Sequence, residues 1–201
     1  MPNRDLVIYA VHVAFWGAFG LTRFVLRSLD RKDGGASETA PVSEQEKTAP
    51  FSRALLAFHS IAIGLMYFGI ASVVLPGRVP IWFAGQRILG TIVIAAGAAL
   101  MSWSLVYFRS WRVRAKLDEG HQLATGGPFQ ILRHPIYMGM NLLACGTAIW
   151  VPTTIVWIAF VLTVIGSDLR ARAEEKLLEQ VFGVSYREYC TRTSRFVPGI
   201  Y

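Results

Sequence analysis

Between residues 120 and 139 the chain reads GHQLATGGPFQILRHPIYMG, and Arg133-His134-Pro135-Ile136-Tyr137 runs directly into an apolar segment. Pro135 fits the first turn of a helix, where its missing N–H costs nothing. That helix start would present unpaired N–H groups and partial positive charge. Arg133 and His134 stand just before it, so the place suits a carboxylate. An interfacial arginine beside a capping histidine accounts for the same residues, and the local chemistry does not separate the two. Upstream, Gly126-Gly127-Pro128 signals a turn in which glycine lets the backbone approach a ligand closely.

The second group of reactive side chains lies in the tail. Arg170, Arg172, Glu174, Glu175 and Lys176 continue a helix past the last apolar segment, with Leu177, Leu178, Val181 and Phe182 at its apolar positions. Gly183 ends that helix. Ser185 to Glu188 reads as a capping box opening a short second helix with Tyr186 and Tyr189. Adjacent residues point roughly 100° apart on a helix, so at most one of Glu174 and Glu175 faces a given pocket. Such an acid would hold a cation or hydroxyl groups. A solvated face paired to Arg170 or Lys176 is the plainer account, and spacing alone favours it. His121 and His134 have no carboxylate or thiolate at ligand spacing, which argues against a metal.

These groups need a scaffold, and the composition says which kind. The chain of 201 residues is 53% hydrophobic, and the apolar residues fall in blocks. Residues 6–26 carry one polar cluster, Thr22-Arg23, while 54–75 and 88–108 carry no charge. A helix of about 21 residues rises roughly 31 Å, enough to cross a hydrocarbon core. Two shorter blocks, 136–151 and 153–169, flank Pro152 and predict a helical hairpin. The reading is an all-α integral membrane protein with five transmembrane helices, the last two a short hairpin, followed by cytoplasmic C-terminal helices. Residues 1–117 would form a scaffold with a flexible loop at 28–53, rich in Gly, Ser, Glu, Thr and Pro. Residues 118–201 would carry the chemistry. The first apolar run is too long for a signal peptide and lacks a cleavage site.

The net charge of +7 does not indicate nucleic-acid binding, because the basic residues cluster at span ends. Arg23, Arg27, Arg31, Lys32, Lys47 and Arg53 lie in or beside the first loop, and Arg109, Arg112, Arg114 and Lys116 follow the third span. Arg170, Arg172 and Lys176 follow the fifth, against Arg4, Arg78 and Arg87 on the other side. This predicts a multi-pass protein with its N-terminus outside and its site and C-terminus in the cytoplasm, beside anionic lipids. Within the spans, His12 and His59 fit packing residues bonded to neighbouring helices, and either could instead line a polar cavity. Ala57, Ser60, Gly64, Gly85, Gly90 and Gly97 suit close helix packing. Cys145 and Cys190 are poorly placed to pair.

Taken together, the motifs resemble those of a family. The chain carries Gly120-His121-x-Leu123, Gly127-Pro128-Phe129 and Arg133-His134-Pro135-x-Tyr137-x-Gly139. It continues with Glu174-Glu175-x-Leu177-Leu178, Phe182-Gly183-x-x-Tyr186-x-x-Tyr189 and Arg195-x-x-Pro198. Order and spacing resemble the isoprenylcysteine carboxyl methyltransferases, which share their C-terminal half with phospholipid N-methyltransferases. The resemblance covers residues 118–201; the first three spans match only in number and hydropathy. It implies a membrane-embedded methyltransferase that uses S-adenosylmethionine and releases S-adenosylhomocysteine. It also implies that His121, Gln122 and Leu123 hold the nucleoside, with Gly127, Pro128 and Phe129 beside it. Arg133, His134, Pro135 and Tyr137 would line the rest of the cofactor, and Glu174 or Glu175 would bind its polar groups.

Methyl transfer from a sulfonium is an in-line displacement whose thioether leaving group needs no proton. A carboxylate acceptor is ionised at neutral pH and needs no base, and Arg170 or Arg172 would steer it. An amine acceptor needs a base, and Glu174 or Glu175 would serve. Either lipophilic substrate would enter sideways from the bilayer. A non-enzymatic scaffold or small transporter explains the spans. It does not explain polar residues gathered at one cytoplasmic edge, since transporters place them near the midplane.

Overall fold

A computed structural model of the protein describes residues 5–32, 50–107 and 123–200. The uncharged runs form helices because only a helix satisfies its own backbone in lipid. Among the described residues there are six: α1 (Val7–Lys32), α2 (Pro50–Val74), α3 (Gln86–Tyr107), α4 (Pro135–Trp150), α5 (Thr154–Phe182) and α6 (Val184–Arg192). A single 3-10 turn, Gly127–Gln130, precedes α4. Outside the helices, the described residues contain an isolated parallel bridge between Leu132 and Ser194.

Among the described residues, four helices are long and apolar enough to cross a membrane, with spans at Val7–Leu29, Ala54–Val74, Gln86–Tyr107 and within Thr154–Phe182. At 16 residues, α4 rises about 24 Å, short of a hydrocarbon core of about 30 Å. The expectation of five spans therefore becomes four helices of spanning length and one shorter helix. The turn expected at Pro152 is present: Val151 N–H donates to the Thr147 carbonyl at 2.8 Å, and Thr153 caps α5. α5 runs without a break from the apolar segment into the charged tail.

The main contacts are α3 with α4, α2 with α5, and, equally, α1 with α3 and α4 with α5. The α3–α4 seam is set by two glycine pairs. A Cβ on Gly90 would stand 2.6 Å from the Gly146 carbonyl oxygen, and one on Gly97 would stand 2.7 Å from that of Gly139. In both helices the glycines are seven residues apart, two turns on one face, so the backbones touch where no side chain fits. Other small residues were misassigned. Gly64 and Gly85 face open space and Ser60 is exposed. On α2 it is Gly69 that meets α5, against Ile155 and Val156.

His12 is a bonded packing residue. Thr147 donates its proton to the Leu143 carbonyl, so its oxygen can accept from His12 Nε2 at 3.0 Å. His12 Nδ1 then accepts from Tyr67 Oη at 3.0 Å, which itself accepts from Trp16 Nε1 at 2.9 Å. At the end of the bundle opposite the charged tail, Gln86 ties the 76–83 turn to α4, bonding Trp82 N–H, the Pro80 carbonyl and the Trp150 carbonyl.

Candidate active site

The site forms where the segment before α4 meets the charged extension of α5. Gly127 holds φ +58°, and a Cβ there would fall 2.5 Å from the Tyr107 ring. The turn therefore lies flat against the end of α3. Beyond it the chain pairs with its own C-terminal segment. Arg133 N–H donates to Ser194 O at 2.8 Å, His134 N–H to Arg195 O at 3.3 Å, and Ser194 N–H to Ile131 O at 3.0 Å. Tyr189 of α6 closes the stack by donating to the Phe129 carbonyl at 2.7 Å.

Pro135 opens α4 as the sequence suggests, but His134 caps nothing with its side chain. Its ring is buried between Glu174 and Glu175 of α5. Nδ1 lies 3.6 Å from Glu174 and Nε2 lies 3.4 Å from Glu175. The expectation that at most one glutamate faces a given site is thus corrected. An imidazole has a nitrogen on each flank, so one ring inserted between two divergent side chains meets both.

The glutamates nevertheless differ. Glu175 accepts from Arg133 Nε at 2.9 Å, Arg195 Nε at 3.0 Å and Arg195 Nη2 at 2.5 Å. Arg133 also donates to the Cys190 carbonyl at 3.2 Å and to that of Thr193. Arg195 reaches Asp168 at 3.2 Å. This cluster is a closed internal knot, and the carboxylate that Arg133 receives is the protein's own. Glu174 accepts one hydrogen bond, from Tyr137 Oη, and its side chain keeps 45% of its exposure. It retains acceptor capacity toward solvent.

Tyr137 is the hub of the open side. His134 stacks on it at 5.8 Å and 15°, His59 of α2 at 6.4 Å and 30°, and the Arg170 guanidinium lies 5.2 Å over its ring. Arg172 points elsewhere, bonding Asp168 one turn back at 2.6 Å on an exposed face. Of the other expected site residues, Leu123 is half-buried, while Pro128 and Phe129 are buried beneath the turn. His121 and Gln122 lie outside the described residues. The capping box at Ser185 is not formed, because α6 starts one residue after α5 ends and Gly183, at φ +53°, serves as both caps. Sequence reasoning gave no role to Asp168 or Asn141 and carried Arg195 only as part of a motif, without its partners. Asp168 left a local signal, its spacing of four to Arg172.

Burial disfavours a charged His134 ring, but the carboxylates of Glu174 and Glu175 outweigh it, and the pKa is raised above the ordinary value. Charge on His134 therefore stabilises the fold fully below its unfolded pKa of about 6.5, and the contribution is lost as pH rises through the folded pKa. The wild-type melting temperature should fall relative to that of His134→Gln as pH goes from 6 to 9. A gap between the two that stays constant over that range would refute the ion pairing.

The arrangement presents a half-exposed carboxylate beside an arginine–tyrosine pair, with a helix start adjoining, all at one end of a membrane bundle. A model of the phospholipid methyltransferase family matches residues 86–185. Protein-S-isoprenylcysteine O-methyltransferase B of Arabidopsis thaliana is 30% identical over 143 residues, covering 69% of this chain and 72% of that one. The protein-S-isoprenylcysteine O-methyltransferase of Saccharomyces cerevisiae is 36% identical over 90 residues, 44% of this chain and 37% of that one. In fold, the chain is similar to a solved eukaryotic intramembrane Ras methyltransferase, an isoprenylcysteine carboxyl methyltransferase. The TM-score is 0.62 at 17% identity, over 100% of this chain and 68% of the other. With a relative this similar over most of both chains, and with apolar helices of spanning length, the protein is a multi-pass membrane methyltransferase that belongs to the isoprenylcysteine carboxyl methyltransferase family.

Proposed function

We propose that the protein transfers a methyl group from S-adenosylmethionine to the carboxylate of an isoprenylcysteine or similar lipophilic acid, at the cytoplasmic face of the membrane. The observation that carries this reading is the asymmetry of the glutamate pair: Glu175 is used up by Arg133 and Arg195, while Glu174 stays open beside Tyr137 and Arg170. Residues 118–201 act as the catalytic region and the first three helices as its scaffold, with the N-terminus outside.

The residues present fit the cofactor. Its ribose hydroxyls and ammonium are donors, and Glu174 is a half-exposed acceptor. His121, Gln122 and Leu123 supply the nucleoside side, Gly127 seats its turn on the Tyr107 ring, and Pro135 leaves a free helix start. Pro128, Phe129, Arg133 and His134 shape the site from beneath. When bound, S-adenosylmethionine supplies an activated methyl on sulfur. Arg170 draws the acceptor carboxylate toward Tyr137. A carboxylate is ionised at neutral pH, so no residue has to remove a proton. Arg172, engaged with Asp168 on an exposed face, is the weaker candidate for that steering.

The name of the matching family model favours a second reading, methylation of the amine of a phospholipid such as phosphatidylethanolamine. There Glu174 would accept the proton the ammonium must lose. The test is calorimetric titration of detergent-purified protein with S-adenosylmethionine and S-adenosylhomocysteine, followed by turnover of each lipid. Saturable binding of both is expected. A folded sample that binds neither rejects the cofactor. Base treatment of the labelled product separates the acceptors: methyl esters release methanol, N-methyl groups do not.

A further inference from the structure

The polar face of the α4–α5 seam continues below Tyr137 into the apolar bundle, and the reaction as proposed does not use it. Asn141 lies four residues after Tyr137, on the same face and about 6 Å deeper along α4. Ser167 lies three residues before Arg170 on α5. Ser167 Oγ donates to Asn141 Oδ1 at 2.8 Å, and His59 Nε2 stands 3.3 Å from Ser167 Oγ. All three are buried: His59 is 2% exposed, Asn141 7% and Ser167 0%. Ser167 spends its proton on Asn141, and its oxygen faces His59 Nε2. This links His59 through Ser167 to Asn141, with the Ser167–Asn141 bond running toward the Asn141 carbonyl.

The direction has a consequence for Asn141. Its carbonyl oxygen is held by Ser167, so the carboxamide is pinned with its nitrogen on the other side. A carboxamide nitrogen carries two N–H donors. Among the described residues the carboxamide's hydrogen bond is the one to Ser167, and its nitrogen is not one of the sealed side-chain atoms without a partner, so it keeps access to the space beside the seam. Donors without an acceptor inside a membrane bundle are costly. Gly166 is also shaped to this arrangement: a Cβ there would stand 2.9 Å from His59 Cε1 and Nδ1, so only glycine lets the ring lie where it does.

Building on the carboxyl-methylation reading, we infer that Asn141 is a specificity-determining residue that donates an N–H from the membrane side to the acceptor carboxylate, while Arg170 engages that carboxylate from above. Ser167 and His59 are positioning residues that hold the carboxamide. In the step itself, one carboxylate oxygen forms a bond to the methyl carbon as the carbon–sulfur bond breaks. The electron pair goes to sulfur, which becomes a neutral thioether, and no proton moves. The Asn141 N–H contacts the oxygen that does not attack, so it orients the acceptor without taking the reacting lone pair. A donor at this point suits a carboxylate and opposes an ammonium, which has only protons to present.

The test uses the full-length protein in detergent, with N-acetyl-S-farnesylcysteine as acceptor and S-adenosylhomocysteine affinity as the check on the fold. Asn141→Ala should raise the acceptor KM about tenfold, the loss expected for one hydrogen bond to a charged group, with S-adenosylhomocysteine affinity within about twofold of wild type. Asn141→Asp, nearly isosteric, keeps the acceptor for Ser167 and replaces the donors with oxygen; it should lose the farnesylcysteine acid even more fully. His59→Leu should raise the same KM, and His59→Gln, which keeps an N–H near the Nε2 position, should restore it. An unchanged acceptor KM in Asn141→Ala or Asn141→Asp, with wild-type turnover intact, overturns this inference alone. Wild type that methylates phosphatidylethanolamine vesicles and no lipid acid overturns the carboxyl reading and this inference with it. Equal KM in His59→Gln and His59→Leu removes the positioning role.

Discussion

Glu175→Ala is expected to lower the melting temperature of the purified protein by roughly 10 °C and to open the C-terminal segment to trypsin at Arg192 and Arg195. Glu175 is a carboxylate shared by Arg133 and Arg195, with His134 Nε2 3.4 Å away. Its side chain keeps only 15% exposure, as against 14% for each arginine. Removing one member of a buried ion cluster leaves its partners charged and uncompensated, at a cost of about 3 kcal/mol or more. For a chain of this size that converts to a shift of roughly 10 °C. The effect should be local first, because Arg133 also carries the Cys190 and Thr193 carbonyls and so ties the end of α6 to the start of α4. Glu175→Gln should recover part of the loss by restoring acceptor oxygen without charge. A melting temperature within 2 °C of wild type in Glu175→Ala would show that the knot contributes nothing to the fold.

The helices were legible because lipid imposes one rule, length of uncharged run, and the boundaries read from composition match those observed for α2, α3 and α4 to within a few residues. The seam glycines were half legible. Gly90 and Gly97 were singled out, but nothing in the local pattern distinguished them from Gly64 and Gly85, because the difference lies on the facing helix. The fate of Arg133 was not legible. Its partners lie 42, 57 and 60 residues away, and a basic residue at a helix start looks the same whether its carboxylate is foreign or its own. The two glutamates were treated as equivalent for the same reason. Only the placement of Arg195, brought in by the Leu132–Ser194 pairing, makes one structural and leaves the other open. Asn141, Ser167 and His59 come from three helices, and their chain of bonds has no sequence period.

That division makes Glu174→Gln the sharper functional test, with the opposite profile to its neighbour. Glu174 accepts from Tyr137 Oη and lies 3.6 Å from His134 Nδ1. Glutamine keeps the volume and an oxygen for Tyr137, so the ring stack of His134, Tyr137 and His59 need not move. What disappears is negative charge at the one carboxylate of the pair with acceptor capacity to spare. Hydrogen bonds to a charged acceptor are worth about 1.5–3 kcal/mol, so the dissociation constant for S-adenosylmethionine should rise by about tenfold to a hundredfold. The melting temperature should stay within a few degrees of wild type, since an exposed carboxylate contributes little to the fold. If Glu174→Gln binds the cofactor as tightly as wild type while Glu175→Gln does not, the roles of the two are reversed and the knot itself is the cofactor's anchor. If neither changes affinity, the cofactor lies away from the α4–α5 junction, and the resemblance in motif has not carried the position of the site with it.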